Sequence, residues 1–258
     1  MGVVLSACAA RGPIALPADS GTPLQDFATI HTQLTSMCAG VRTMTAEIAL
    51  SGKAGDESVG GRVHAGFERP DSMRLEGVGP LFVGTVFTFV ARGGTATLVL
   101  HRDSAVLRNE PPDAILEAMT GVALAPADLQ AVFTGCVLPA PRASGGTLHA
   151  NGWASIDIET AEPPRRMAKL FLERSGAQWR LRSAQRERWQ IDYRPWTGSF
   201  PQSVTLTGRE VRVNISATLS QVETNQDLDP AAFTVDVRKD LTPITLKELR
   251  DVGPLRGQ

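Results

Sequence analysis

The chain has 258 residues, 42% of them hydrophobic and 21% charged, with a formal net charge of −1. That size and apolar content suffice for a buried core, in one large β domain or two small ones. The near-neutral charge argues against a nucleic-acid binder, which would carry a basic face. No apolar run approaches the roughly 18 residues of a spanning helix, so attachment to a membrane would come through lipid.

Leu5-Ser6-Ala7-Cys8 resembles the lipobox at which bacteria cleave a signal peptide and acylate the new N-terminal cysteine, and it makes Cys8 the candidate lipidation site. The residues before it lack a positive n-region and the apolar stretch of about 7–15 residues found in a full signal. Either the true start lies upstream or the motif is chance. Ala9 to Pro23, rich in Ala, Gly, Pro and Ser, is expected to be a flexible tether. The chain then divides into a signal remnant with tether at 1–23 and a single domain at 24–258.

The first helix is predicted to start at Thr22, with Pro23 in the first helical position and Gln25 completing a capping box. Leu24, Phe27, Ile30, Leu34 and Cys38 recur at helical spacing, and Gly40 ends the run. After Val41 the period falls to two. Ala46, Ile48 and Leu50 alternate with Glu47, Ala49 and Ser51; Val63, Ala65 and Phe67 alternate with polar neighbours; Met73 and Leu75 do the same. Thr85 to Ala91, with Phe87 and Phe89, and Thr95 to His101, with Leu98 and Leu100, are further strands joined by a Gly93-Gly94 turn.

Two short helices follow, from Pro111-Pro112-Asp113 to Gly121 and from Pro126-Ala127-Asp128 to Gly135. The Gly/Pro/Ser-rich stretch from Pro139 to Gly146 reads as a domain linker or one long loop. A second β block runs through Ala168 to Leu172, Trp179 to Leu181, Trp189 to Tyr193, Val204 to Leu206 and Val211 to Leu219. Thr245 and Glu248 form a capping box for a last helix. About ten strands with four short helices predict a mainly β fold: one strongly curved antiparallel sheet, an open, incomplete barrel lidded by helices.

With Cys8 assigned to acylation, Cys38 and Cys136 remain, suited either to a disulfide in an oxidising compartment or to two buried thiols. No metal-ligand spacing is present, and no cofactor is expected. His31, His64, His101 and His149 are dispersed, His64 and His101 on the polar parity of their strands. GxSxG, HExxH and P-loop patterns are absent, so no catalytic residue is assigned and the chain is expected not to be an enzyme. On the concave face Ile48, Leu50, Val63, Phe67, Leu75, Phe87, Phe89, Leu98, Leu100, Val213 and Ile215 are candidates to line an apolar cavity, or equally to be plain core.

The run from Pro111 through Thr120-Gly121, Leu124-Ala125-Pro126 and Leu129 to Gly135, with Gly79-Pro80-Leu81 upstream, resembles the LolA/LolB family of lipoprotein carriers, above all its LolB branch. The resemblance covers roughly Leu24 to Leu219. It implies an open barrel lidded by helices, holding acyl chains of lipoproteins or other amphiphiles, in a monomer on the periplasmic face of the outer membrane that receives cargo from a soluble periplasmic carrier. It also implies that Leu81, followed here by Phe82, is an exposed membrane-delivery loop rather than a strand-edge core residue, and the flanking Gly77 and Gly84 suit a turn projecting from the sheet. A structural envelope lipoprotein is the competing reading, and a hydrolase with an unrecognised site the more distant one. The chain runs on past the last strand, through Phe233 to Leu255, further than the family pattern.

Overall fold

The period-two segments fold back on one another into two antiparallel meanders that share a single sheet. The computed structural model describes residues 12–79, 84–121, 124–137, 142–159, 167–186, 188–208 and 212–252. The first meander comprises β2 (Thr43–Ala54), β3 (Glu57–Glu68), β4 (Ser72–Val78), β5 (Thr85–Arg92), β6 (Thr95–Leu100) and β7 (Ala105–Glu110). The second comprises β8 (Arg142–Leu148), β9 (Ala154–Glu159), β10 (Met167–Ser175), β11 (Gln178–Arg186), β12 (Trp189–Thr197), β13 (Phe200–Gly208) and β14 (Val213–Thr224). β14 docks antiparallel on β2, Ala217 opposite Leu50, which joins the two blocks. Two-residue strands β1 (Thr22–Pro23) and β15 (Thr242–Pro243) extend the edges at β8 and β7, giving fifteen strands among the described residues.

A sheet this wide, with the native strand twist, curls rather than lying flat. It is mainly β, open and strongly curved, as the alternation predicts. Gly93 and Gly94, with φ of 61° and 77°, make the β5–β6 turn that two left-handed residues allow. The edges β7 and β8 are linked through α2 (Pro112–Thr120) and α3 (Pro126–Thr134), so the connection that bridges the gap in the barrel also fills its hollow. Both helices begin on proline and end at a left-handed glycine, Gly121 and Gly135. Helix α1 (Phe27–Ala39) buries Ile30, His31, Leu34 and Cys38. A disulfide joins Cys38 to Cys136 across 98 residues, Cα to Cα 5.4 Å.

Four expectations change. Thr22 and Pro23 are strand rather than helix, pairing with Leu148 and Thr147, and α1 begins after Asp26 without a side-chain cap. Gly146 explains part of this: a Cβ there would collide with Leu24 and Phe27, so the bare backbone lets the start of α1 settle onto β8. Residues 142–148 are not a linker but strand β8, which together with β7 and β9 raises the strand total above ten. Gly77, expected beside a turn, lies in β4 with the Phe87 ring packed where its Cβ would be.

The fourth concerns the tether. From Gly12 onward it is fastened to the convex face: Asp192 accepts from Ile14 N–H at 2.7 Å, Gln190 donates to Ile14 C=O at 2.9 Å, and Arg194 donates to Gly12 C=O at 3.2 Å. Asp19 then meets His149 at 3.3 Å and accepts from Ala150 N–H.

The C-terminal extension is a second strap. After β14 it crosses the convex face through a one-turn 3-10 helix, Pro230–Phe233, where Arg74 donates to the Ala232 and Thr234 carbonyls. Val235, Val237 and Leu241 cover Val99 and Val106, a small core on the outside of the sheet. The chain then rounds the edge at β15, parallel to β7, and ends in α4 (Leu246–Val252) against α2, its Leu249 fully buried in the main core. The Thr245–Glu248 capping box is present, Glu248 accepting from Thr245 N–H at 2.7 Å.

Candidate functional site

Eight of the eleven expected cavity residues, Ile48, Val63, Phe67, Leu75, Phe87, Phe89, Leu98 and Leu100, are buried. They belong to the same core as Ile115, Leu116 and Met119 of α2, Phe133 of α3 and Leu249 of α4, and the Phe67 and Phe133 rings lie 6.1 Å apart. The β2–β7 half of the hollow is therefore filled by the protein's own helices. Leu50, Val213 and Ile215 are only half-buried. They mark where the filling stops.

Directly opposed residues of antiparallel strands share a face, so the register maps this open region. Ala184 opposes Ile191, Ile191 opposes Leu206, and Leu206 opposes Ile215: an apolar row across β11–β14, every member half-buried. One step deeper, Tyr193, Val204 and Ala217 form a buried row. One step outward, Ala168 opposes Arg186, Arg186 opposes Trp189, and Trp189 opposes Gly208, with Val213 opposing Ala54. Here Arg186 is exposed and its apolar neighbours are half-buried. Exposure thus rises row by row toward one end of the concave face.

The other end is closed. Gly135 at the end of α3 lies against Trp196 and Pro201, and α1 packs on β8 and β11. β4 and β5 turn back at the open end, where Gly79 N–H donates to Gly84 C=O at 3.1 Å. The expected delivery residues Leu81 and Phe82 between them, like the expected lipidation site Cys8, lie outside the described residues.

Of the mouth residues, sequence reading singled out Leu50, Val213 and Ile215 and passed over Ala184, Arg186, Trp189 and Leu206 as site residues. Alternation marks strands at Trp189 to Tyr193 and at Val204 to Leu206, whose register sets Trp189, Ile191 and Leu206 on one face. It carries no sign of which end of a strand the helices leave bare.

A second depression, about 600 Å³, runs along the flank of α1 beside the β10–β11 turn, with Ile30, Leu34, Met37 and Trp179 in its lining. Met37 is 54% exposed there.

The histidines are placed as their parity predicts or are structural. His64 and His101 are exposed, near Glu47 and Thr88 respectively. His149 stands between Asp19 at 3.3 Å and Ser155 Oγ at 3.0 Å, which is the order of a Ser–His–Asp relay. Ser155, however, is 0% exposed, so no substrate carbonyl reaches its oxygen; the trio ties the N-terminal strap to the β8–β9 hairpin. No cluster of three or more His, Cys, Asp or Glu suited to a metal ion occurs among the described residues.

An open curled sheet lidded inside by short helices, with an apolar mouth, is a LolA-like fold. The chain is similar to a DUF1329 family protein from Desulfovibrio piger (TM-score 0.56, 10% identity, 83% of this chain and 98% of that one). It is similar also to a LolA superfamily protein from Nitrosomonas europaea (TM-score 0.56, 10% identity, 80% and 98%). A third likeness is to a domain described as a putative outer membrane lipoprotein-sorting protein domain from Vibrio parahaemolyticus (TM-score 0.53, 12% identity, 80% and 95%). At such identities the likeness is one of fold. No family model matches the sequence, and no curated protein matches it.

Proposed function

We propose that the protein is a lipid-anchored carrier of the bacterial envelope that accepts acyl chains of lipoproteins or other amphiphiles in the mouth of its curled sheet and delivers them to the outer membrane. The observation that carries this reading is the graded apolar mouth formed by Ala184, Ile191, Leu206, Ile215, Leu50 and Val213, which the protein's own helices leave uncovered. Transfer of each methylene from water to such a surface is worth roughly 0.8 kcal/mol, so several buried methylenes hold a chain without catalysis. Release then needs only an acceptor with more apolar area, such as a bilayer. The likeness in fold to a lipoprotein-sorting domain supports the same reading.

In this reading Cys8 bears the anchor and Leu81 with Phe82 touches the receiving membrane. Native mass spectrometry of protein from envelope extracts tests the central claim: co-purifying acylated species support it, and loss of those species from Leu206→Asp or Ile191→Asp protein that still folds ties them to the mouth. A chain that never carries lipid reverts to a structural envelope protein. Cys8→Ser, made with a full signal upstream, should move the protein from the membrane to the soluble fraction. Leu81→Glu should slow delivery of bound lipid to liposomes with little change in melting temperature.

A further inference from the structure

In the two rows nearest the mouth, the concave face of β9–β14 is apolar except for Arg186, and a second guanidinium, that of Arg188 just before β12, lies over the Trp189 ring at 6.0 Å. The cross-strand partners of Arg186 are Ala168 and Trp189, and among the described residues no carboxylate pairs with it. Several other arginines of the sheet are engaged: Arg182 pairs with Glu173, Arg194 with Asp192 and Arg74 with Glu76, and Arg174 and Arg180 lie over Trp179 and Trp196. Arg62, Arg92 and Arg108, without a carboxylate partner among the described residues, belong to β3, β5 and β7, outside this face. An unpaired guanidinium on the rim of an apolar trough is the arrangement that recognises an amphiphile with an anionic head. The planar fork donates two parallel hydrogen bonds to a phosphate or carboxylate, and the acyl chain runs inward over Trp189, Ile191 and Leu206.

We infer that the cargo is an amphiphile whose head is an oxyanion, held by Arg186 at the mouth. This rests on the carrier reading and narrows it, because the diacylglyceryl group of a lipoprotein carries no such charge. A neutral head would gain no charge-assisted bond from the guanidinium, and a cationic head would be repelled.

The test is displacement of the neutral dye N-phenyl-1-naphthylamine from the purified full chain by dodecyl phosphate, dodecanoate and dodecanol at pH 8. The anions should act at about tenfold lower concentration than dodecanol, the size of one charge-assisted hydrogen bond, and the more potent anion identifies the head as phosphate or carboxylate. Arg186→Gln should lower that preference to within about twofold while leaving dodecanol competition and the melting temperature unchanged. Arg186→Lys should retain part of the preference, and Arg92→Gln, in the distant β5–β6 hairpin, all of it. Equal potency of dodecanol and the anions, or a preference that survives Arg186→Gln, overturns the inference. If neither dye nor any amphiphile binds, the carrier reading itself falls.

Discussion

His31 shows how one residue couples packing to pH. It lies on the inner face of α1, its Nε2 has no hydrogen-bond partner among the described residues, and burial holds its pKa below the usual imidazole value. Because the folded state disfavours the protonated ring, its contribution to stability is complete above the unfolded value of about 6.5 and is lost as pH falls below it through the lowered folded value. Urea midpoints should therefore fall more steeply between pH 7 and pH 5 for the native chain than for His31→Gln; parallel slopes would show that the ring does not govern this range. At the same scale, core and mouth part company. Phe89 is fully buried, and Phe89→Ala should cost about 3–5 kcal/mol in urea denaturation. The half-buried Leu206 should cost only about 1 kcal/mol when cut to alanine, with its larger effect on lipid retention. A cost at Leu206 as high as at Phe89 would mean that the mouth is ordinary core.

Among the elements, the two terminal straps hold the convex face by different means. The N-terminal one is held by polar groups centred on Asp192, which is 2% exposed and accepts from Ser183 Oγ at 2.7 Å, Gln190 Nε2 at 3.0 Å and Ile14 N–H at 2.7 Å. The C-terminal one is held mainly by apolar contact, with Phe233 and Leu241 buried and Leu249 inside, and is pinned by Arg74 at the Ala232 and Thr234 carbonyls. Asp192→Ala strands several donors at once, each worth about 1–3 kcal/mol when left unsatisfied. It should both destabilise the sheet and free the residues from Gly12 to Ser20 for limited proteolysis, read by mass spectrometry. Continued protection of that segment would show that Asp192 is not what fastens it.

For the whole molecule, the disulfide links the helix before the first meander to the end of the helix pair between the meanders. Closing a loop that long stabilises by up to about 4–5 kcal/mol through the unfolded state. Reduction, or the double variant Cys38→Ser with Cys136→Ser, should lower the melting temperature by roughly 10 °C for a chain of this size. An unchanged melting temperature would show that the sheet alone holds α1 in place.

The local chemistry of the chain was enough to place the period-two strands, the proline starts and glycine ends of α2 and α3, the Thr245–Glu248 cap and the mainly β class, because each depends on residues only a few positions apart. The pairing of Cys38 with Cys136 was left open between bridge and free thiols. Strand β8 was illegible because Ser144, Gly145 and Gly146 look like loop until β1 and β9 hydrogen-bond to them on either side. The fastening of residues 12–19 depends on Asp192 and His149, more than a hundred positions away. Which concave residues become core and which become mouth was decided only in three dimensions. Phe89 and Leu206 have the same alternation and similar hydrophobicity, and they differ because the helices linking the two sheet edges fill the hollow over one and stop short of the other.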